Sequence, residues 1–473
     1  MKLSELLDKK IENDCVVTDV KDDSRQLVAG DIFVFDRRVS DKGEAFVAQA
    51  RKAGVTAIIT NLDVAGDDIY TLENPFDAMA RFAQNKYPQM PAFICGVTGT
   101  NGKTSVAWFY NCILRGAGKN VASIGTLGIY LGTDLLAETG YTSPTPLVLH
   151  KHLHDLAKKG VTHLCMEVSS HALDLHRAHS VPFKAAAFTN ISPDHRDYHG
   201  SMEAYMFAKQ ALFTECLQDK GSAVLNILHP ASWPLASICK QLEMDVLTVG
   251  AGQAELVVKQ KSLSAAGMLV EIKYNTHVTE ITLPLVGAFQ AENMAVAIGL
   301  ALKSGLSWAE IEKGLGAVTS VPGRMEMIVE AGKPLVVVDY AHTPDALKTA
   351  ITAIRPQVKG KLWTVFGCGG DRDKTKRAEM GKIATDLSDM VIVTDDNPRT
   401  EDAALVRKDI MQACPDALEC GDRSKAIQLA IEKASVDDVI LLAGKGHESG
   451  QYINGEVVAF DDRDQAKRYL RGA

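Results

Sequence analysis

Seven consecutive residues, Gly99, Thr100, Asn101, Gly102, Lys103, Thr104 and Ser105, stand where the apolar run AFICGVTG passes into the amphipathic run TSVAWFYNCILRGAG. Strand, glycine-rich turn and helix in that order form a phosphate cradle. Glycines let backbone N–H groups wrap the anion, and the helix N-terminus adds a favourable dipole. Lys103 is placed to neutralise β/γ charge, and the Thr104 hydroxyl to reach magnesium. The strict GxxxxGK spacing asks for glycine at 97, where this chain has Val97, so the loop is a variant. Handling a phosphate does not by itself say what is done with it.

Two polar clusters narrow the chemistry. The run HLCMEVSSHALDLHR carries Glu167, Ser169, Ser170 and His171 past an apolar strand. A carboxylate there either caps the strand end or holds magnesium, directly or through water. The run FTNISPDHRDYHG supplies Asp194, His195, Asp197 and His199 on one loop. Lys209 then falls on the apolar and aromatic face of SMEAYMFAKQALF. Such a lysine ordinarily snorkels its ammonium to solvent; buried beside a metal it has a lowered pKa and a reactive amine. Position in the sequence leaves both readings open.

Four further loops rich in charge and glycine each follow an apolar strand: DYAHTPD with Asp339, Tyr340, His342 and Asp345; FGCGGDRDKTKR with Arg372, Lys374, Lys376 and Arg377; TDDNPRTED with Arg399; and LLAGKGHESG with Lys445, His447 and Glu448. In open α/β sheets ligands bind at the carboxyl ends of strands. This mixture of cations and carboxylates suits both nucleotide phosphates and a zwitterionic amino acid.

These loops need scaffolding, and 473 residues predict about three domains at roughly 150 each. Residues 1–90 read as a small mixed α/β domain, with strands DIFVF and VTAIIT and a glycine-terminated helix EAFVAQARKAG. The proline-flanked NKYPQMPAF marks a boundary near Pro91. Residues 91–322 alternate strands (VASIG, HLCMEV, AAAFTN, SAVLN) with helical stretches, which predicts a largely parallel sheet carrying the phosphate loop. Within them VVKQKSLSAAGMLVEIKYNTHVTEITLPL reads as antiparallel ribbon. Residues 323–473 alternate strands and helices again, a Rossmann-like domain without GxGxxG after its first strand, so no dinucleotide is expected. The net charge of −8 argues against non-specific nucleic-acid binding. Nine scattered cysteines without CxxC spacing fit a reducing compartment, and no run of 18 apolar residues stands out. A cytoplasmic protein, neither exported nor inserted in a membrane, is therefore expected.

Across nearly its whole length the chain resembles the Mur ligases of peptidoglycan synthesis. DSR at 23–25, GVTGTNGKTS, MEVSSHAL, DHRDYHG, the lysine of FAKQALF, GAFQAEN, VPGRME, DYAHTPD, GCGGDRDKTKR, DNPR and AGKGHE carry that resemblance. It implies three domains, for the uridine nucleotide, for ATP, and for the incoming amino acid with part of ATP. It implies a monomer that uses ATP and Mg2+ to phosphorylate the carboxylate of UDP-N-acetylmuramoyl-L-alanyl-D-glutamate, whose acyl phosphate the amine of the third stem residue attacks. Carried over by motif, Ser24 contacts the uridine diphosphate, and Thr142, Ser143, Ser169 and Arg177 hold the muropeptide. Lys103 and Thr104 serve phosphate and magnesium, Glu167 and His195 complete the metal region, and Lys209 resembles the family's carbamylated lysine. Asn293, Arg324, His342 and Asp345 approach the adenine nucleotide. Arg372, Gly444 and Glu448 contact the amino acid together with Asp396, Asn397, Pro398 and Arg399, the DNPR form that goes with meso-diaminopimelate.

The chain departs from the family pattern at Leu175, where glutamine is frequent, at Arg196 for leucine, at Gln290 for asparagine, in NILH at 226–229 for NxDD, and in FVFDRRVSDKGEAF. These departures predict a lost polar contact near Arg177 and a central fold ordered without two carboxylates. Rival readings are an L-lysine-adding or recycled-peptide ligase, a folylpolyglutamate synthase, which leaves residues 1–90 without a role, and a non-catalytic nucleotide-regulated scaffold, which leaves Glu167 and Lys209 incidental.

Overall fold

A computed structural model of the chain describes every residue except Asn13, Ala265, Ala266 and Ala473. The polypeptide forms two compact units, Met1–Leu256 with Ala295–Gly314, and Val257–Met294 with Leu315–Ala473.

The first unit contains two sheets. The smaller pairs Val20–Lys21, Ile32–Phe35, Ala57–Thr60 and Ile69–Thr71 in that order, all parallel. Alternation along Ile32–Phe35 explains its two-sided burial. Ile32 and Val34 join Leu3, Leu6, Phe76 and Met79, while Phe33 and Phe35 pack with Val47 and Ala50 of the helix Gly43–Ala53. That helix stops at Gly54 in the left-handed region (φ +76°), the usual glycine C-terminus.

The larger sheet runs Asp245–Gly250, Leu217–Asn226, Phe183–Phe188, Phe93–Thr98, His163–Glu167 and Val121–Gly125, parallel throughout. The antiparallel hairpin Gly128–Leu131 and Asp134–Ala137 extends it. Phe93–Thr98 is central, with Val97 paired to Glu167 and Thr98 to Phe188. The carboxyl ends of three strands therefore deliver residues 99–102, 167 and 189–190 to one place. Helix Lys103–Gly116 buries every residue from Ser105 to Leu114, which fixes the loop that precedes it.

In the second unit Glu326–Ile328, Leu335–Asp339, Val439–Ala443, Leu362–Phe366, Met390–Val393 and Leu418–Glu419 form one sheet, parallel except for its first strand. Helices Pro344–Ile354, Lys376–Leu387 and Ala403–Met411 cover one face, and Arg423–Lys433 with Asp462–Leu470 the other. This doubly wound arrangement puts the four charged loops at one edge, as the Rossmann-like reading requires. The segment read as ribbon forms strands Leu256–Ser264, Gly267–Tyr274 and His277–Leu283, the last two antiparallel; Ala265 and Ala266 within it lie outside the described residues. Among the described residues no helix is long and apolar enough to cross a membrane.

Candidate active site

The phosphate loop is held from both sides by backbone and side-chain bonds. Thr189 Oγ1 donates to the Asn101 carbonyl at 2.6 Å, Asn190 Oδ1 accepts from Asn101 N at 3.0 Å, and the Asn190 carbonyl accepts from Thr100 N at 2.9 Å. Gly99 has φ +146°, and a Cβ there meets Thr189 Oγ1 at 1.9 Å, so no other residue fits. Lys103 folds over the loop it follows, donating to the carbonyls of Gly99 (2.8 Å) and Thr100 (2.9 Å).

Glu167, at the end of the neighbouring strand, is almost fully buried and multiply bonded. Its Oε2 accepts from Thr104 Oγ1 at 2.9 Å and Thr126 Oγ1 at 3.2 Å, and its Oε1 from Thr126 N at 2.8 Å. A hard-oxygen pair, Thr104 and Glu167, thus sits at the helix N-terminus, a position whose dipole suits a phosphate. Such donors suit magnesium.

Lys209 is not the snorkelling residue that its helix face first suggests. It is 1 % exposed, donates to the Gly99 carbonyl at 2.9 Å, and lies 4.3 Å from the Tyr205 ring centroid. Burial, helped by the nearby Lys103 charge, pushes its amine well below the ordinary lysine range. Tyr205 reaches Thr100 Oγ1 at 3.2 Å, and burial raises its phenol to about 12. Beside it stand His195, His199, His171 and Tyr198, with ring centroids 4.2–5.9 Å apart. Burial and the two facing histidines lower His171 to about 4. His195 occupies the left-handed region (φ +50°) with its Nε2 3.4 Å from Asp194; it reaches the phosphate loop through Tyr205 and makes no hydrogen bond to Glu167.

The residues matched to the muropeptide converge less tightly. Ser143 Oγ bridges the Glu167 carbonyl (3.0 Å) and the Ser169 N–H (3.1 Å), and Thr142 meets Thr126 at 3.1 Å, so both adjoin the Glu167 shell. Ser169 caps the helix Ser170–Asp174. Arg177 lies between the rings of Phe76 (5.5 Å) and Tyr141 (5.7 Å), its Nε buried without a hydrogen-bond partner and its basicity lowered by burial. Ser24 binds Gln49 Oε1 at 2.7 Å on the small sheet's edge.

In the second unit the four loops are tied together. Arg377, 1 % exposed, pairs with Glu401 and Asp409 at 2.9 Å each, and Arg377 holds the Glu401 carboxyl down at about 2. Thr400 bonds Asp371, and Arg399 Nη1 donates to the Gly370 carbonyl at 2.7 Å. Arg399 is half-buried, at φ +54°, and forms no ion pair among the described residues. Asn397 donates to Glu448 at 2.9 Å, and buried Lys445 donates to both. Gly444 is required at φ +115°, since a Cβ falls 2.5 Å from Asp396 Oδ2. Pro398 O closes on Gly370 in the same manner. Arg324 stacks 4.3 Å over Tyr340 with its Nε buried and unpartnered, and His342 Nδ1 meets the Tyr340 carbonyl. Asn293 donates to Gln290 at 2.9 Å. Arg372 is exposed on its loop, and Asp345 is exposed in the first turn of the helix Pro344–Ile354.

Three of the departures find local explanations. Leu175 is a core residue beside Leu3, Val34 and Phe76, so apolar packing replaces a polar contact there. Arg38 of the unusual FVFDRR run links Asp36 to Asp174 and Asn74. In NILH, Asn226 accepts from Leu228 N and, through its carbonyl, from Ser232 Oγ at 2.6 Å, ordering the turn without carboxylates. Thr126 and Gly125 escaped the sequence reading. A Gly–Thr turn closing the buried strand VASIG was the available signal.

A phosphate loop beside a carboxylate, a hydroxyl and a buried amine fits phosphoryl transfer, and the comparisons make the chain an ATP-dependent ligase that forms amide bonds. Residues 97–301 match the Mur ligase middle domain and residues 323–446 the Mur ligase, glutamate ligase domain. The chain is 40 % identical over 450 residues to UDP-N-acetylmuramoyl-L-alanyl-D-glutamate--2,6-diaminopimelate ligase of Agrobacterium fabrum, covering 95 % of this chain and 92 % of the relative. Identity to the protein of that name from Chelativorans is 39 %, over 100 % and 99 %. A solved structure of a ligase with the same name superposes with a TM-score of 0.72 at 30 % identity, covering 100 % and 99 %. The chain belongs to the Mur ligase family.

Proposed function

We propose that the protein joins meso-2,6-diaminopimelate to the D-glutamate of UDP-N-acetylmuramoyl-L-alanyl-D-glutamate, releasing ADP and phosphate. Near-full-length similarity to ligases that carry this name supports the reading. In this reading residues 1–90 take the uridine nucleotide, 91–322 the ATP phosphates, and 323–473 the amino acid with part of ATP. ATP and a UDP-linked precursor fit a cytoplasmic enzyme.

The γ-phosphoryl passes to the glutamate carboxylate, the new amine attacks the acyl carbon, and phosphate leaves as the C–N bond forms. Residues 99–105 wrap the phosphates, with Lys103 released from its loop carbonyls onto the transferring charge. Thr104, Glu167, His195 and Lys209 would be the groups that hold magnesium, which would supply charge neutralisation on the phosphates. The neutral amine that burial favours at Lys209 can add CO2, forming an N–C bond and losing one proton to become an anionic carbamate. Arg177, free of hydrogen bonds at Nε and framed by Phe76 and Tyr141, takes an anionic group of the muropeptide.

The observation that carries the choice of amino acid is Arg399, half-buried, without an ion pair among the described residues, and following Asn397, which bonds Glu448. The distal carboxylate of diaminopimelate pairs with that guanidinium, and L-lysine has none to offer. A half-buried guanidinium left without its carboxylate discriminates between the two amino acids. Phosphate release with ATP, Mg2+ and the UDP-dipeptide, comparing diaminopimelate with L-lysine, tests the reading. Turnover with diaminopimelate alone is expected. Equal turnover with lysine overturns the specificity, and silence with both overturns the substrate.

A further inference from the structure

The loop 396–399 is held by a segment outside every motif read in the sequence. Gly450–Ile453 and Glu456–Ala459 form an antiparallel hairpin, closed by Asn454 (φ +49°) and Gly455 (φ +85°). Asn-Gly with both residues left-handed is the tight turn that fixes hairpin register. Among the described residues, none from 450 to 459 joins either apolar cluster flanking the sheet, and Glu456, Val457 and Val458 are exposed. The hairpin therefore contributes through hydrogen bonds, and these go to the loop 396–399.

Arg399 is gripped at both of its peptide groups. Its N–H donates to the Tyr452 carbonyl at 2.9 Å, and its carbonyl accepts at 2.7 Å from the N–H of Asn454, in the turn itself. Gln451 Nε2 donates to the Asp396 carbonyl at 2.8 Å. The Tyr452 N–H and Lys445 Nζ both donate to Asn397 Oδ1, at 3.1 Å each. Neither can accept, so the Asn397 amide has one orientation, with its nitrogen toward Glu448. Lys445 is fully buried, and its three protons meet three acceptors: Asn397 Oδ1, Glu448 Oε2 (3.1 Å) and the Gly450 carbonyl (2.6 Å). An ammonium saturated in this way has no proton left for a substrate. It ties the first residue of the hairpin to the loop and to Glu448.

These bonds matter because Arg399 sits at φ +54°, a conformation that a residue with a Cβ keeps only when its surroundings hold it. A loop free to relax leaves that region, and the backbone rotation swings the guanidinium. The bond from Arg399 Nη1 to the Gly370 carbonyl (2.7 Å) constrains only the tip of the side chain. We propose that the hairpin 450–459 is the specificity-determining buttress of the amino-acid site, with Gln451 and Lys445 as its positioning residues. It fixes Arg399 in the left-handed conformation that aims the guanidinium at the distal carboxylate of the incoming amino acid. The inference rests on the reading of 396–399 as the loop that selects diaminopimelate.

The test measures phosphate release by the full chain with ATP, Mg2+ and the UDP-dipeptide, varying diaminopimelate and L-lysine in turn. Q451A, and separately the double variant N454A/G455A, should raise KM for diaminopimelate about tenfold. Expected alongside are a kcat and a KM for ATP that hold, and a selectivity over lysine that falls by the same factor. In an R399A background the same changes should add nothing, because the hairpin acts through that side chain. A merely structural role lowers activity equally in both backgrounds. Hydrogen exchange without substrate should quicken about tenfold across 396–400 in N454A/G455A and stay constant across 99–105. Q451A decides, by the same two measurements, if the double variant does not fold. An unchanged KM for diaminopimelate, unchanged exchange, or a loss repeated in full in R399A overturns the buttress. A wild type silent with both amino acids overturns the substrate reading instead, and exchange then still judges the hairpin.

Discussion

Gly125→Ala offers the sharpest perturbation of the phosphate site without replacing any charged group. A Cβ at Gly125 falls 2.1 Å from Glu167 Oε1, 2.5 Å from its carboxyl carbon and 2.6 Å from Cγ. Glu167 is 2 % exposed, so the carboxylate has to shift within packed surroundings. It then loses at least one of its bonds to Thr104 (2.9 Å), Thr126 N (2.8 Å) or Thr126 Oγ1 (3.2 Å). A bond to a charged group contributes about 1.5–3 kcal/mol, and overpacking costs about 1–3 kcal/mol more. Displacing a positioned group by roughly 1 Å lowers turnover about 100-fold. Phosphate release at saturating substrates, with Mg2+ varied, should show kcat down by about that factor and a raised Mg2+ requirement. Thr126→Ala removes the hydroxyl donor and leaves the backbone donor, so a loss nearer tenfold is expected. Wild-type kcat and Mg2+ dependence in a folded G125A would refute the placement of Glu167 in the phosphate site.

Four other outcomes follow from the same geometry. Lys209→Gln should cut kcat by about 10²–10³, the cost of losing one preorganised charge-stabilising group, and bicarbonate depletion should slow the wild type but not the variant. Arg399→Ala should cost about 2–5 kcal/mol in kcat/KM for diaminopimelate and leave turnover with lysine nearly unchanged, read in the amino-acid comparison. Gly370→Ala places a Cβ 2.0 Å from the Pro398 carbonyl, so it should raise KM for the amino acid while ATP dependence holds. His150 is fully buried, and burial lowers its pKa from 6.5 to about 4 in the native state. The unfolded chain then binds the extra proton between these values, so this stability is fully present above pH 6.5 and lost as pH falls toward 4. The loss is on the order of 3 kcal/mol, and thermal midpoints across that range should flatten in His150→Gln, which keeps a partner for Ser180.

What was legible in the sequence follows from how local each signal is. The phosphate loop, its flanking strand and helix, and the alternation of both larger sheets depend on neighbours within a few residues, so glycine spacing and apolar periodicity reveal them. The DNPR loop was legible by motif, but its partners, Gly370 for Arg399 and Glu448 for Asn397, are distant in sequence and came only from the structure. Lys209 shows the limit. Its helix face admits a snorkelling or a buried amine with equal ease, and the decision came from Gly99, Lys103 and Tyr205, on other elements. Gly125 and Thr126 were invisible because their role is set by strand order: Val121–Gly125 lies beside His163–Glu167, which brings Thr126 N to the carboxylate. The departure at Leu175 makes the same point from the other side. Counted as a lost polar contact in a motif, it is a gained methyl-rich contact in a core that joins residues 3, 34 and 76. A motif therefore specifies which atoms meet the phosphate, whereas the register between strands specifies which atoms hold those in place. Substitutions at the second kind of position, Gly125 above all, test the structure more severely than substitutions of the motif itself.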